Sequence, residues 1–191
     1  SFTEGTRLPG ALSYDPKLFN QDEFTIAMKW VPHTATDLGD RSKFFTLRGP
    51  SSSQSIIGLR SYNSNAIAIQ WPVADGSASA NFKLDVPAYE VYSENLLVFV
   101  KTKENKVRIH FNDFCQEQDI GYSPFRFTPT ELQIGHFDKT QQLNGELKNL
   151  LIKPYAVSPE TVAAWHSLDA PFFDPREILD PTVKPIKVQG T

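Results

Sequence analysis

From Glu23 to Trp30 the chain alternates with a period of two: Phe24, Ile26, Met28 and Trp30 fall on one side, Thr25, Ala27 and Lys29 on the other. That period belongs to a half-buried strand, because only an extended backbone sends successive side chains to opposite faces. Pro32 ends the run. Shorter strand-like stretches follow at residues 44–48, 56–62, 66–71, 81–86, 96–103, 106–111, 132–135 and 145–153. Turn chemistry separates them: Asn63-Ser64-Asn65 predicts a hairpin between two of them, Glu104-Asn105 a tight polar connection, and Asn144-Gly145 a hairpin turn opening the last strand. Short strands at regular spacing predict an antiparallel sandwich or barrel rather than βαβ units. Residues 12–20, broken by Pro16, read as a loop or edge.

One helix interrupts the pattern. Ser158 is a good N-cap, Pro159 suits the first helical position, and Thr161 stands where a capping box would want Glu or Gln. Val162, Trp165 and Leu168 form one apolar stripe, so the helix is expected to lie as a lid on the sandwich edge. Beyond it, Pro171, Pro175, Pro181 and Pro185 exclude helix from residues 170–191. Phe172, Phe173 and Ile178 are too apolar for a solvated linker, so this tail is expected to pack on the domain or on a partner. The division is therefore a sandwich over residues 1–169 and an extended tail over 170–191.

A length of 191 residues suits one such domain, and fourteen Phe supply a sizeable core. A net charge of −3 with mixed signs argues against a nucleic-acid binder. No apolar run reaches the roughly 20 residues that cross a bilayer. Cys115 is the single cysteine, which rules out an internal disulfide and a cysteine zinc cluster. Flanked by Phe114 and Gln116 with no adjacent His, it is expected to be buried or inert. The chain starts at Ser1 without an initiator Met or signal peptide, as expected of an excised domain or a processed product.

Several segments carry a resemblance. Phe2-Thr3-Glu4-Gly5, the strand Glu23 to Trp30, Gly135-His136, the run Asn144 to Leu150 and the phrase Ala156 to Val162 resemble the laminin-G-like, concanavalin A-like lectin/glucanase superfamily. The resemblance covers nearly all of residues 1–168 and implies an all-β, antiparallel two-sheet jelly-roll sandwich with one short C-terminal helix. The ending from Trp165 to Pro175, with Pro171-Phe172-Phe173-Asp174-Pro175, is similar to that of such modules in bacteriophage tail and other virion proteins.

Glucanases of this superfamily carry Glu-x-Asp-x-x-Glu on one strand, so that alternation turns all three acids to one face, and retaining hydrolysis needs two carboxyls about 5 Å apart. Here the nearest approach is Glu117-Gln118-Asp119-Ile120-Gly121-Tyr122, where Tyr122 replaces the third acid. It reads as a polar turn. His33, His110, His136 and His166 show no metal-ligand spacing, and no nucleophile elbow, phosphate loop or dinucleotide fingerprint is present. The chain is thus not expected to be an enzyme.

Binding chemistry fits better. Sugar recognition needs aromatic platforms for C–H faces and amides or carboxylates for hydroxyls. Tyr62, Asn63, Asn65 and Trp71 cluster on one predicted hairpin, and Tyr89 and Tyr92 lie in the polar loop of residues 87–95. Against a ligand role for Trp71, it shares a strand face with Ile67 and Ile69, which favours core packing. Many relatives hold calcium at the sandwich rim; Asp37, Asp40 and Asp138 are the candidate ligands for such an ion, although none forms the dense acid pattern of a dedicated calcium loop. The expected role is a non-catalytic binding module recognising a cell-surface or host glycan within a larger extracellular or virion protein. The alternative is a structural or assembly module contacting copies of itself or other virion subunits; a polysaccharide-degrading enzyme comes third.

Overall fold

The computed structural model describes residues 12–14, 23–33, 43–51, 54–60, 66–73, 79–86, 89–124, 127–135, 143 and 145–167. In chain order the strands are β1 (Leu12–Tyr14), β2 (Phe24–Pro32), β3 (Lys43–Arg48), β4 (Ser55–Arg60), β5 (Ala66–Pro72), β6 (Ser79–Asp85), β7 (Asn95–Lys101), β8 (Lys106–Phe111), β9 (Phe114–Asp119), β10 (Glu131–Ile134) and β11 (Gly145–Lys153), followed by helix α1 (Pro159–Ser167). They form a six-stranded sheet ordered β1-β10-β3-β4-β5-β6 and a five-stranded sheet ordered β11-β2-β7-β8-β9. Every pairing is antiparallel.

The alternation of β2 explains the core. Phe24, Ile26, Met28 and Trp30 point inward between the sheets and meet Phe44, Phe45 and Leu47 of β3. Trp30 packs edge-on against Phe44 at a centroid distance of 5.1 Å, and Phe45 meets Phe99 of β7 at the same distance, also edge-on. Such edge contacts are the favourable geometry for ring quadrupoles. Phe44 and Phe45 are both fully buried because the β3–β4 register slips between Lys43 and Phe45, which frees adjacent residues from strict alternation.

The opposite face of β2 was expected to be half-solvated, yet all nine residues of the strand are buried. The cause is α1. Val157, Val162 and Trp165 form a second apolar cluster with Ala27, Leu96, Val98 and Val100 on the outer face of the five-stranded sheet. The helix is a lid, but over this sheet face rather than the expected sandwich edge; Val162 and Trp165 of its stripe pack there, and Leu168 lies outside the described residues. Ser158 caps it, accepting the Thr161 N–H at 3.2 Å. Thr25 fastens the segment leading into the helix: its hydroxyl donates to the Tyr155 carbonyl at 2.8 Å and accepts the Val157 N–H at 3.0 Å. Arg108 of β8 donates to the Val157 carbonyl from the other side.

Two expectations need correction. Residues 117–119 are not a turn; they end β9, an edge strand paired in register with β8 and exposed along its whole length. Exposure of every side chain removes the periodic signal that would reveal a strand. Asn144-Gly145 does not close a hairpin either, since β10 and β11 lie in different sheets. Gly145 instead has φ +139°, and a Cβ there would run into the Val31 carbonyl oxygen and stand 2.7 Å from Trp30 Nε1. It is glycine because β2 passes too close for anything larger. The proposed tail of residues 170–191 lies outside the described residues.

Candidate functional site

One end of the sandwich gathers exposed chemistry on the five-stranded sheet. There β2 finishes at Pro32 with His33 just beyond it, residues 89–94 lead into β7, Asn112 and Asp113 turn β8 into β9, and β11 begins. Antiparallel order explains the gathering, because the ends of β2 and β8 and the starts of β7, β9 and β11 coincide. The backbone is well tied. Tyr92 N–H donates to the Pro32 carbonyl at 2.8 Å and Asn112 N–H to that of Leu96 at 2.9 Å. Asn112 Oδ1 accepts the Leu96 N–H at 2.8 Å while its Nδ2 donates to Asn95 Oδ1 at 3.0 Å.

Tyr92 stands out on this rim. It holds a left-handed backbone with φ +67°, and 73% of its surface is exposed. Left-handed geometry costs a non-glycine residue roughly 1–2 kcal/mol, which the Pro32 hydrogen bond helps to offset. The His33 ring lies 5.4 Å from the Tyr92 ring, tilted by 44°. Three ion pairs follow along the rim: His33 Nε2 with Glu146 Oε1 at 3.6 Å, Lys29 Nζ with Glu94 Oε1 at 2.8 Å, and His166 Nδ1 with Asp113 Oδ1 at 2.8 Å.

Between helix and sheet the rim is concave. A cavity of about 170 Å³ is lined by Lys29, Glu94, Leu96, Asn112, Trp165 and His166. A larger one of about 540 Å³ includes His110, Asp113, Cys115 and Val162, and shares Asn112 and His166 with the first. The two adjoin at Asn112 and His166 as a groove beside α1, which lends Pro159, Val162, Ala163 and Ala164 to the larger one.

Cys115 opens onto this groove, and here an expectation is corrected: it is exposed, and it does face a histidine. Cys115 and His110 are opposite each other in the β8–β9 register, with Sγ 3.7 Å from Nε2. Residues five apart in sequence meet because a hairpin folds between them. The pair is nonetheless not a nucleophile and its base. Burial, with the Arg108 charge adding to it, pushes His110 down to about 4, and burial pushes the Cys115 thiol up. Both groups are neutral at pH 7, the reverse of an activated thiolate.

The residues predicted to bind ligand fall into three groups. Tyr62, Asn63 and Asn65 lie outside the described residues, as do the calcium candidates Asp37, Asp40 and Asp138. Trp71 is a core residue at the other end of the sandwich, where its indole N–H donates to the Tyr122 hydroxyl at 2.8 Å. Tyr89 is half-buried beneath the rim, 5.0 Å from Trp30 and 6.1 Å from Phe111 between ring centroids. Tyr92 alone of the described candidates presents an open aromatic face. Among the described residues no three His, Cys, Asp or Glu side chains are disposed to hold a metal ion. No described helix is long and apolar enough to cross a membrane.

The acidic strand offers no hydrolytic pair. Glu117 Oε1 lies 3.3 Å from Lys106 Nζ, and its Oε2 lies 3.4 Å from Arg108 Nη1. Asp119 Oδ1 accepts the Gly121 N–H at 2.8 Å. Sequence reasoning missed His33, Glu94, Asp113, Glu146 and His166 as rim residues, since they come from five separate segments. The signals that bear on them are the ends of the strands themselves.

No protein-family model and no curated relative matches the chain. Solved structures do resemble it. The CBM40 module of the Ruminococcus gnavus IT-sialidase, solved bound to alpha2,3 sialyllactose, superposes with a TM-score of 0.61 at 11% identity, over 81% of this chain and 91% of that module. The NanB sialidase of Streptococcus pneumoniae matches with a TM-score of 0.60 at 15% identity over 85% of this chain, which spans only 27% of the sialidase. The SAP-like pentraxin of Limulus polyphemus gives a TM-score of 0.54 at 13% identity, over 78% of this chain and 74% of the pentraxin. The fold is the concanavalin A-like jelly roll of these lectin-type structures.

Proposed function

We propose that the chain is a non-catalytic carbohydrate-binding module, and that the rim around Tyr92 is where it meets its glycan. The observation that carries the reading is Tyr92 itself, an exposed aromatic held on a left-handed backbone beside His33. Exposed apolar rings on a constrained backbone are unusual without a partner, and a saccharide C–H face is a natural one. The shared fold with a module solved bound to sialyllactose supports the class of ligand. The tied carboxylates of β9 and the neutral Cys115–His110 pair support the absence of catalysis.

The test is a glycan array on the intact chain, followed by titration calorimetry on the best ligand with Tyr92→Ala alongside. Loss of one stacking contact is worth about 1–1.5 kcal/mol, or roughly tenfold in affinity. Absence of binding to every glycan at high valency would remove the reading. Its setting in a larger extracellular or virion protein, with a cell-surface glycan as target, is part of the same proposal. The flanking sequence of the gene product tests that part.

An assembly role remains the second reading, favoured by one observation. β9 is an open, fully exposed edge strand that presents Phe114, and such edges can pair with another chain. Light scattering tests it: a strict monomer at 100 µM (roughly the range of weak edge pairing) counts against assembly.

A further inference from the structure

Resting on the carbohydrate reading of the rim, we infer that its ligand is an uncharged saccharide and not a sialylated or otherwise anionic one. The three ion pairs decide this by their orientation. In each, the basic side chain is the inner partner and the carboxylate the outer one. Lys29 is 10% exposed against 37% for Glu94, and His166 is 34% exposed against 83% for Asp113. His33 and Glu146 follow the same order. A ligand settling beside Tyr92 therefore meets carboxylate oxygens first.

Carboxylates accept hydrogen bonds and donate none, so they match sugar hydroxyls and repel a sugar carboxylate. Anionic sugars need the opposite arrangement, a guanidinium or ammonium turned outward and free to bond. Arg108, the arginine nearest the groove among the described residues, is buried, donating to the Val157 carbonyl and facing Glu117. His110, inside the groove, is held neutral by burial at physiological pH.

Among the described rim residues, one lysine does face outward. Lys148 of β11 is exposed and lies opposite Lys29 in the β11–β2 register, two residues beyond Glu146. Of these described side chains, Lys29 and Lys148 are cationic, and Glu94, Glu146 and Asp113 are carboxylates. Lys148 is thus the described rim group that an anionic sugar would reach, and it belongs in the test.

The experiment is calorimetric and array binding of the intact chain to matched glycans with and without terminal sialic acid, including 3′-sialyllactose and 6′-sialyllactose against lactose. Expected is preference for the neutral member of the pair. Its affinity should be unchanged between about 0.05 and 0.5 M NaCl, because an uncharged ligand has no Coulomb term to screen. Glu94→Gln should weaken it several-fold through a lost acceptor, and Tyr92→Ala roughly tenfold. Both positions are exposed, and an unchanged melting temperature shows that the variants are folded. Tighter binding of the sialylated member, weakened by salt and abolished in Lys148→Gln, would overturn the inference while leaving the carbohydrate reading intact. Failure to bind any glycan would remove both.

Discussion

The indole N–H of Trp71 donates to the hydroxyl of Tyr122 across the open side of the sandwich, at 2.8 Å. Tyr122 lies three residues beyond β9, off the strand that carries Glu117 and Asp119. Its partner Trp71 is buried on β5, and the Tyr122 hydroxyl also lies 3.5 Å from the Pro72 carbonyl.

Tyr122→Phe keeps the ring and leaves the Trp71 N–H without this acceptor. An unmet buried donor costs about 1–3 kcal/mol. The urea midpoint should fall by that amount divided by the m-value, with m itself unchanged. An unaltered midpoint would show that the bond contributes nothing to stability.

Gly145→Ala tests the close approach of β11 to β2. The new methyl group meets the Val31 carbonyl oxygen and Trp30 Nε1 on a backbone at φ +139°. Both strain and crowding oppose it, so a loss of at least 2 kcal/mol is expected, near the upper range for ordinary substitutions. Thermal unfolding measures it. A glycine needed only for a mobile turn would tolerate alanine within about 0.5 kcal/mol.

Much of this architecture was legible before any coordinates. The alternation of Phe24 to Trp30 placed β2 with the correct face inward, and Ser158-Pro159 placed the start of α1, because both are local signals. Residues 114–119 were not legible as a strand, since an edge strand exposed on every side chain carries no burial period. The role of Gly145 was misread for a different reason. Its conformation answers to Val31 and Trp30, more than a hundred residues away, and nothing in Asn144-Gly145 reports that. The rim was the least legible part. Tyr92 was identifiable as an aromatic in a polar loop, but Glu94, Asp113, Glu146 and His166 join it only through strand register.

Cys115 should alkylate slowly despite its exposure. Burial of its thiol side raises the pKa above the ordinary cysteine value, and the reactive species is the thiolate. With iodoacetamide at pH 7.5, the rate should lie below that of the same chain in urea and should rise through alkaline pH. A rate above the unfolded reference would mean an activated thiol and would reopen a catalytic role for the pair with His110.

His110 sets a pH dependence of defined sign. Folding buries it beside Arg108, lowering its pKa from the ordinary 6.5 to about 4. Between those values the unfolded chain binds a proton that the native chain refuses, so stability falls as pH falls through this window. Above about pH 6.5 both states hold neutral imidazole and the effect vanishes. Below about pH 4 the loss is complete, at about 3 kcal/mol by the conversion of 1.36 kcal/mol per pH unit. Glu104 and Glu160 also titrate below their usual values on folding, but they act only under pH 4.5. Urea denaturation at pH 5.0 and pH 7.5 isolates the histidine: the difference in unfolding free energy should shrink in His110→Gln, whatever that variant's absolute stability. An equal difference in both proteins would show that His110 titrates normally in the folded state, and that the hairpin beneath α1 is wetter than its packing implies.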